Sequence, residues 1–300
     1  MSPKTTPRTP PPTVHRPAPR ARRRFGQHFL APAWARRIVQ AVDPQPGDVF
    51  LEIGPGRGAL TLPLAASGAP ILAVEIDRDL VAQLAEQVPR NVTVMTGDVL
   101  ETDVLPVLRG LEPQHPPDAA RLSGGPQRRR YRIVGNLPYN IASPILFRML
   151  EWHQRERLFA DAVVMLQKEM ADRLVAKPGT KDYGILTVLF SRHATITRLF
   201  DLPPGAFSPA PKVHSTVLRL AFGPPAVKVV DDALFERMVR TMFGKRRKTL
   251  VNALRDFDRT APAVVALAGL DARRRPETLD LQELARLADL FSSVHRPPVV

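Results

Sequence analysis

Val49-Phe50-Leu51-Glu52-Ile53-Gly54-Pro55-Gly56-Arg57-Gly58 is an apolar run that breaks into a glycine-rich turn. The first five residues read as a buried strand, and the glycines permit a sharp turn into a helix from Ala59 to about Ala66. Working outward, Ala33–Val42 reads as a preceding helix, ended by the turn Asp43-Pro44-Gln45-Pro46-Gly47. Downstream, strands are expected at Pro70–Glu75, Val92–Met95, Tyr131–Val134 and Ala162–Leu166. Between and after them, helices are expected over Asp79–Gln87, Pro144–Glu151, Glu169–Ala176 and Tyr183–Arg192. This alternation predicts βαβ units, hence an α/β, Rossmann-like, mostly parallel sheet with helices on both faces.

Two further strands, Thr195–Leu199 and Ser215–Ala221, flank the loop Pro203–Val213 and read as a hairpin closing the sheet's edge. From about Asp231 every periodic segment is helical, which predicts a small all-α C-terminal domain beyond Gly223-Pro224-Pro225. The expected organisation is a Pro/Arg-rich disordered tail (1–24), a sheet domain (25–223) and a helical domain (224–300). Residues 109–130 interrupt the sheet domain and read as a surface insertion.

The chain of 300 residues carries a net charge of +14, and half of that excess lies in the tail, which holds seven basic side chains and no acidic one. Such a balance points to a phosphate-bearing partner. The absence of cysteine excludes disulfides, thiolate metal sites and a thiol nucleophile. The seven histidines show no ligand spacing, so no metal is expected. No apolar run is long enough to span a bilayer, and a cytoplasmic monomer without membrane contact is the expectation.

Gly54-x-Gly56-x-Gly58, between a strand and a helix, lets the backbone approach a ligand closely. Glu75, at the next strand end, can accept the two ribose hydroxyls of a nucleoside cofactor, and Asp98 at the third can receive an adenine amine. A dinucleotide and S-adenosylmethionine both suit such a site, and the glycine spacing tilts toward the latter. The fourth strand end decides it. Asn136-Leu137-Pro138-Tyr139 resembles the adenine-N6 methyltransferase motif. The adenine amine is a poor nucleophile because its lone pair is delocalised into the ring. Acceptors aimed at its hydrogens, the Asn136 side-chain oxygen and the Leu137 carbonyl, would favour an attack-ready geometry. Pro138 has no N–H to compete, and Tyr139 offers a flat face for an extruded base.

Further runs sharpen the resemblance: Phe25-Gly26-Gln27-His28-Phe29-Leu30, Glu52-Ile53-Gly54-Pro55-Gly56, Val74-Glu75-Ile76-Asp77, Gly97-Asp98-Val99, Phe207-Ser208-Pro209-x-Pro211-Lys212-Val213-x-Ser215 and Lys245-Arg246-Arg247-Lys248-Thr249-Leu250. From Arg24 to about Leu254 the chain resembles the small-subunit (16S) rRNA adenine N6,N6-dimethyltransferases (KsgA/RsmA type). The resemblance implies that His28, Leu30, Gly54, Gly56, Glu75, Asp98 and Asn136 hold S-adenosyl-L-methionine, although the family often has Asn where His28 stands. It implies as substrate two adjacent adenosines in a hairpin loop near the 3′ end of small-subunit rRNA, met within the immature ribosomal particle. Phe207 is either a second stacking face opposite Tyr139 or an aromatic capping the core. Lys245, Arg246, Arg247 and Lys248, in a helical pattern over Met238–Leu254, are expected to meet RNA phosphates. Two relatives compete. The macrolide-resistance type, acting on large-subunit rRNA, usually has Ile in the second motif position and lacks the Phe-Ser-Pro-x-Pro-Lys-Val run. A mitochondrial transcription-factor relative would carry a transit peptide. An NAD-dependent dehydrogenase would leave Asn136–Tyr139 unexplained.

Overall fold

The structure, a computed structural model, describes residues 28–111 and 130–295. The tail, the run Phe25-Gly26-Gln27 and most of the 109–130 insertion lie outside the described residues. Among the described residues nine strands and the helices between them follow in order: β1 (Phe29–Leu30), α1 (Pro32–Val42), β2 (Asp48–Ile53), α2 (Thr61–Ala65), β3 (Ile71–Glu75), α3 (Arg78–Ala85), β4 (Val92–Thr96) and α4 (Leu105–Gly110). Then come β5 (Arg130–Asn136), α5 (Ala142–Glu156), β6 (Phe159–Gln167), α6 (Lys168–Leu174), α7 (Ile185–His193), β7 (Ala194–Leu202), β8 (Phe207–Ser208) and β9 (Ser215–Phe222). Four helices close the chain: α8 (Asp232–Gly244), α9 (Leu250–Leu254), α10 (Ala261–Leu267) and α11 (Leu281–His295).

Seven strands build one sheet in the order β4-β3-β2-β5-β6-β9-β7. The first five are parallel, while β9 runs antiparallel to both β6 and β7. All six residues of β2 are buried because helices cover both faces of this central strand. Val49, Leu51 and Ile53 enter one apolar cluster and Phe50 the other, as the period of two requires. The larger cluster is continuous from the sheet through Trp152 and Phe190 to Phe235, Met242, Leu254 and Phe291 of the C-terminal helices.

The expected hairpin is present, with β7 at the edge and β9 inside the sheet. Helix α5 extends beyond the expected Pro144–Glu151, because Pro144 sits in its first turn and Trp152 and His153 are buried at its far end. Helix α4, β1 and β8 were not expected. The helix expected over Met238–Leu254 is corrected to two. Helix α8 ends at Gly244, Lys248 N–H donates to the Lys245 carbonyl in a turn (2.8 Å), and extended Thr249 precedes α9. The break redirects the chain so that Leu250, Ala253 and Leu254 reach the same core as Met242.

Beneath the sheet, at the end remote from the glycine turn, Arg132 is 1% exposed. Its guanidinium meets Asp161 (2.6 and 2.8 Å), Asp48 (2.8 Å) and the Val42 and Asp43 carbonyls closing α1 (2.7 and 3.2 Å). Removing one side of such a cluster strands the others in low dielectric. Arg132→Met should therefore cost about 3–5 kcal/mol in urea unfolding.

His153 and His193 lie edge to face, 6.1 Å apart, at the junction of the sheet and α8. Burial, with Arg192 and His153 nearby, pushes His193 from 6.5 down to about 4. The folded state thus holds this imidazole neutral, whereas the unfolded chain binds a proton below 6.5. Stability is fully present above pH 6.5 and should fall as pH drops toward 4. His193→Gln should flatten the melting temperature over that interval; an unchanged slope would remove His193 as the cause.

Candidate active site

The chain visits β2, β3 and β4 outward in one direction, then returns to β5 on the other side of β2. This reversal leaves a crevice above the carboxyl ends of β2 and β5, where open α/β sheets take their ligands. A cavity of about 320 Å³ occupies it. Gly54, Gly56 and Gly58 all have positive φ (68°, 58° and 80°), a region that side chains other than glycine's rarely enter. Across the crevice, a Cβ on Gly135 would lie 2.7 Å from the Ile53 carbonyl oxygen. Glycine there lets β5 come close enough to bring Asn136 alongside the turn.

The structure brings His28, Leu30, Gly54, Gly56, Glu75, Asp98, Asn136, Leu137, Pro138 and Tyr139 together on the wall of this cavity. Glu75 does more than face a ligand. One carboxylate oxygen accepts the Gly56 N–H and the other the Asp77 N–H, each at 3.0 Å, so it also shapes the turn. Each oxygen retains a lone pair for a ribose hydroxyl. Burial raises its pKa, and the hydrogen bonds from the Asp77 and Gly56 amides oppose that rise. Asp98 accepts the Leu100 N–H (2.9 Å), which fixes its carboxylate at the cavity wall.

The turn at residues 136–139 is held from three sides. Leu137, fully buried, donates its N–H to the Met165 carbonyl (3.1 Å). The Asn136 amide nitrogen donates to the His28 carbonyl (3.3 Å), leaving the side-chain oxygen as the acceptor for an incoming amine. Tyr139 hydroxyl and Ser215 hydroxyl are 2.6 Å apart, and the Tyr139 ring is stacked on the His28 imidazole at 5.8 Å. Burial raises the Tyr139 pKa, so it remains a neutral phenol.

A short strap closes the cavity. Phe29 and Leu30 pair with Ser208 and Phe207, and Ala31 N–H donates to the Ala206 carbonyl (2.8 Å). His28 Nδ1 lies 2.7 Å from the Pro209 carbonyl oxygen, and the Arg57 guanidinium lies over the Phe29 ring at 4.0 Å. Phe207 does not join the lining: it is 5% exposed and belongs to the apolar cluster with Leu30 and Val217, the core-capping alternative. The basic run is remote from the cavity lining. Lys245 pairs with Asp256, and Arg246 donates to the Thr180 carbonyl (3.1 Å), while Arg247 and Lys248 are exposed. Arg274, in the run Arg273-Arg274-Arg275, is engaged internally by Glu283 and Thr278.

Among the lining residues that the sequence reading did not assign to the site are Glu52, Ile76 and Arg57. Glu52 looked like one more position of a buried strand. Ile76, 46% exposed beside Glu75, gives the cavity mouth an apolar surface suited to a purine face. The buried acids, the positive-φ turn and this apolar patch fit a cationic nucleoside cofactor.

Sheet, glycine turn and the segment 136–139 meet in one crevice at the carboxyl ends of the strands. The sequence matches the ribosomal RNA adenine dimethylase family over residues 18–286. A protein of Aromatoleum aromaticum called ribosomal RNA small subunit methyltransferase A is 42% identical over 279 residues, covering 91% of this chain and 95% of its own. One of the same name from Pseudomonas fluorescens is 40% identical over 284 residues, covering 93% and 96%. Among solved structures, a dimethyladenosine transferase from Plasmodium falciparum superposes with a TM-score of 0.66 at 22% identity, covering 89% of this chain and 98% of that one. A 23S rRNA methyltransferase, ErmE, gives 0.59 at 24%, covering 88% and 99%; both likenesses concern the fold. This chain belongs to the ribosomal RNA adenine dimethylase family.

Glu75→Ala removes both the acceptor for ribose and the clamp on the Gly56 turn. Calorimetric affinity for S-adenosylhomocysteine should fall about 10- to 100-fold, the worth of one or two charge-assisted hydrogen bonds. Undiminished binding would exclude Glu75 from the cofactor site.

Proposed function

We propose that this chain dimethylates N6 of two adjacent adenosines in a hairpin loop near the 3′ end of 16S rRNA, within the immature small ribosomal subunit. The observation that carries the proposal is the convergence of Asn136–Tyr139 on the same cavity as Glu75 and Asp98. In this reading the enzyme works as a cytoplasmic monomer and needs no metal. Among the described residues no group of acidic or histidine side chains could hold one, and no helix is long and apolar enough to cross a membrane.

S-adenosylmethionine supplies an electrophilic methyl group on a sulfonium. The residues supply position and polarity. Asn136 Oδ1 and the Leu137 carbonyl accept the hydrogens of the adenine amine, which favours a pyramidal nitrogen and stabilises the positive charge growing on it. Pro138 keeps a competing N–H out of the turn. Tyr139, fixed by Ser215, offers the flipped base a stacking surface worth about 1–3 kcal/mol. The strap excludes water from the cofactor. Each transfer would form one N–C bond as the S–CH3 bond of the sulfonium breaks, leaving a neutral thioether and releasing one N6 proton to solvent, and the amine can be methylated twice because it begins with two hydrogens.

The helices from Asp232 onward form the RNA-facing unit of this proposal. Arg247 and Lys248, exposed in the turn between α8 and α9, are its first candidates for phosphate contact, beside Lys245 and Arg246. Such contacts are salt-sensitive and insensitive to sequence. Phe207 could serve as a second stacking face only after leaving its core position.

Incubation of the enzyme and cofactor with unmethylated small subunits should yield N6,N6-dimethyladenosine by nucleoside mass spectrometry. Asn136→Ala should abolish the product without loss of fold, and Tyr139→Ala should lower activity far more than cofactor affinity. Modification of large-subunit RNA alone would instead support the macrolide-resistance type of activity.

A further inference from the structure

Helix α1 carries an aromatic and cationic group that the cofactor crevice does not use. Trp34 stands in its first turn, followed by Arg36 and Arg37, both exposed. The Trp34 indole lies nearly parallel to the Phe200 ring of β7, with 29° between the planes and 6.5 Å between the centroids. The Arg37 guanidinium covers both rings, 4.3 Å from the Phe200 centroid and 5.3 Å from that of Trp34. Both rings rest half-buried on the smaller apolar cluster, so the group is supported from beneath and open above. Its charge is unanswered. Helix α1 contains no acidic residue, and among the described residues neither Arg36 nor Arg37 forms an ion pair. By contrast Arg198, the one cation of β7, is held by Asp172 and Asp201.

Unpaired guanidiniums beside aromatic faces suit a ligand that combines phosphates with flat bases. Arginine meets phosphate through its planar fork and stacks on planar groups, and aromatic rings stack bases of any sequence. The position fits as well. Phe200 lies two residues before Leu202, which pairs with Ser215, the hydroxyl partner of Tyr139. At about 3.3 Å per residue along a strand and about 5 Å between strands, the group is on the order of 10 Å from that hydroxyl pair. Resting on the rRNA reading above, we propose that Trp34, Arg36, Arg37 and Phe200 form a second RNA site, which takes unpaired nucleotides next to the target adenosine. A base stacks on the Arg37–aromatic cluster, and the two arginines receive the flanking phosphates. Only unpaired bases expose the faces that such a cluster needs. The tail of this chain is a poor occupant, because it holds seven cations and no acid, and a second copy with a net charge of +14 is repelled likewise.

Tryptophan emission tests this without reference to catalysis. The chain has two tryptophans and Trp152 is 1% exposed, so a base reaching the group should quench Trp34 alone. Titration of the full chain with an oligoadenylate should quench the emission. Trp34→Phe should abolish the quench while anisotropy of the labelled RNA still reports binding. The double variant Arg36→Gln, Arg37→Gln should bind more weakly, and its slope of log affinity against log salt should flatten by about 1.4, the share of two phosphates on a single strand. Its KM for unmethylated small subunits should rise. A quench that survives Trp34→Phe, an unchanged salt slope or an unchanged KM would overturn the proposal. Equal quenching by an oligoglutamate of the same length would overturn it too, by making an acidic protein segment the better partner. Failure of the unmodified enzyme to yield N6,N6-dimethyladenosine would overturn the rRNA reading, whereas the oligoadenylate titration decides this surface by itself.

Discussion

A full positive charge lies almost out of reach of water at the base of the sheet, and the placement of everything above it follows from how that charge is satisfied. Arg132, on β5, is shared between Asp48 of β2, Asp161 of β6 and the last carbonyls of α1. Arg219 of β9 reaches the same Asp161 and the Ala41 carbonyl. Desolvating these ions is expensive, so the cluster is tolerated only when all partners are present in one arrangement. That arrangement fixes the spacing of four strands. It also pins the C-terminus of α1, where the helix dipole favours a cation. The strap at residues 28–31 leads directly into the other end of α1, so a bond network beneath the sheet helps to determine how the cavity above it is covered.

The two ends of the sheet treat charge in opposite ways. Below, acids are neutralised by arginines within the chain. Above, Glu52, Glu75 and Asp98 face a cavity, and Glu75 and Asp98 rely mainly on backbone amides. Strand β2 carries one acid of each kind, Asp48 and Glu52, four residues apart and thus on the same face. Both are buried to the same degree, so burial alone does not separate a structural acid from a ligand-seeking one. The separating feature is the partner: a guanidinium for Asp48, an unfilled cavity for Glu52.

Much of this was legible in the sequence because it is written in local pattern. The buried run 49–53, the glycines after it and the acids at successive strand ends locate the sheet and the cofactor crevice. Asn136–Tyr139, singled out by its motif, falls on the wall of that crevice. What escaped has no local pattern. β1 and β8 are two residues each and exist only by pairing with one another across the chain. Glu52 is set apart by a missing partner, which a sequence does not display. The single helix expected over Met238–Leu254 arose because apolar residues at 239, 242, 243, 250, 253 and 254 keep helical spacing across the break. Gly244 and Thr249, a helix end and a helix start, were the available signals. Moving Lys245–Lys248 from a helix face to a turn changes how those cations are presented: two are engaged by Asp256 and Thr180, and two project outward.

His28 joins parts of the site that a sequence reading treats separately. Its carbonyl accepts from Asn136, its ring lies against Tyr139, its Nδ1 meets the Pro209 carbonyl, and the residue itself lines the cofactor cavity. The cavity wall and the Tyr139 ring therefore share a residue. Displacing the strap would alter what lies on Tyr139 and what holds the Asn136 amide. The loop carrying Phe207 is tied into the same unit through its pairing with Leu30. Because Phe207 is buried by that pairing, a stacking role for its ring would require the strap and the loop to move together, not a rotation of one side chain. Residues 28–31 thus tie the cavity wall, the loop carrying Phe207 and the Tyr139 ring into one unit.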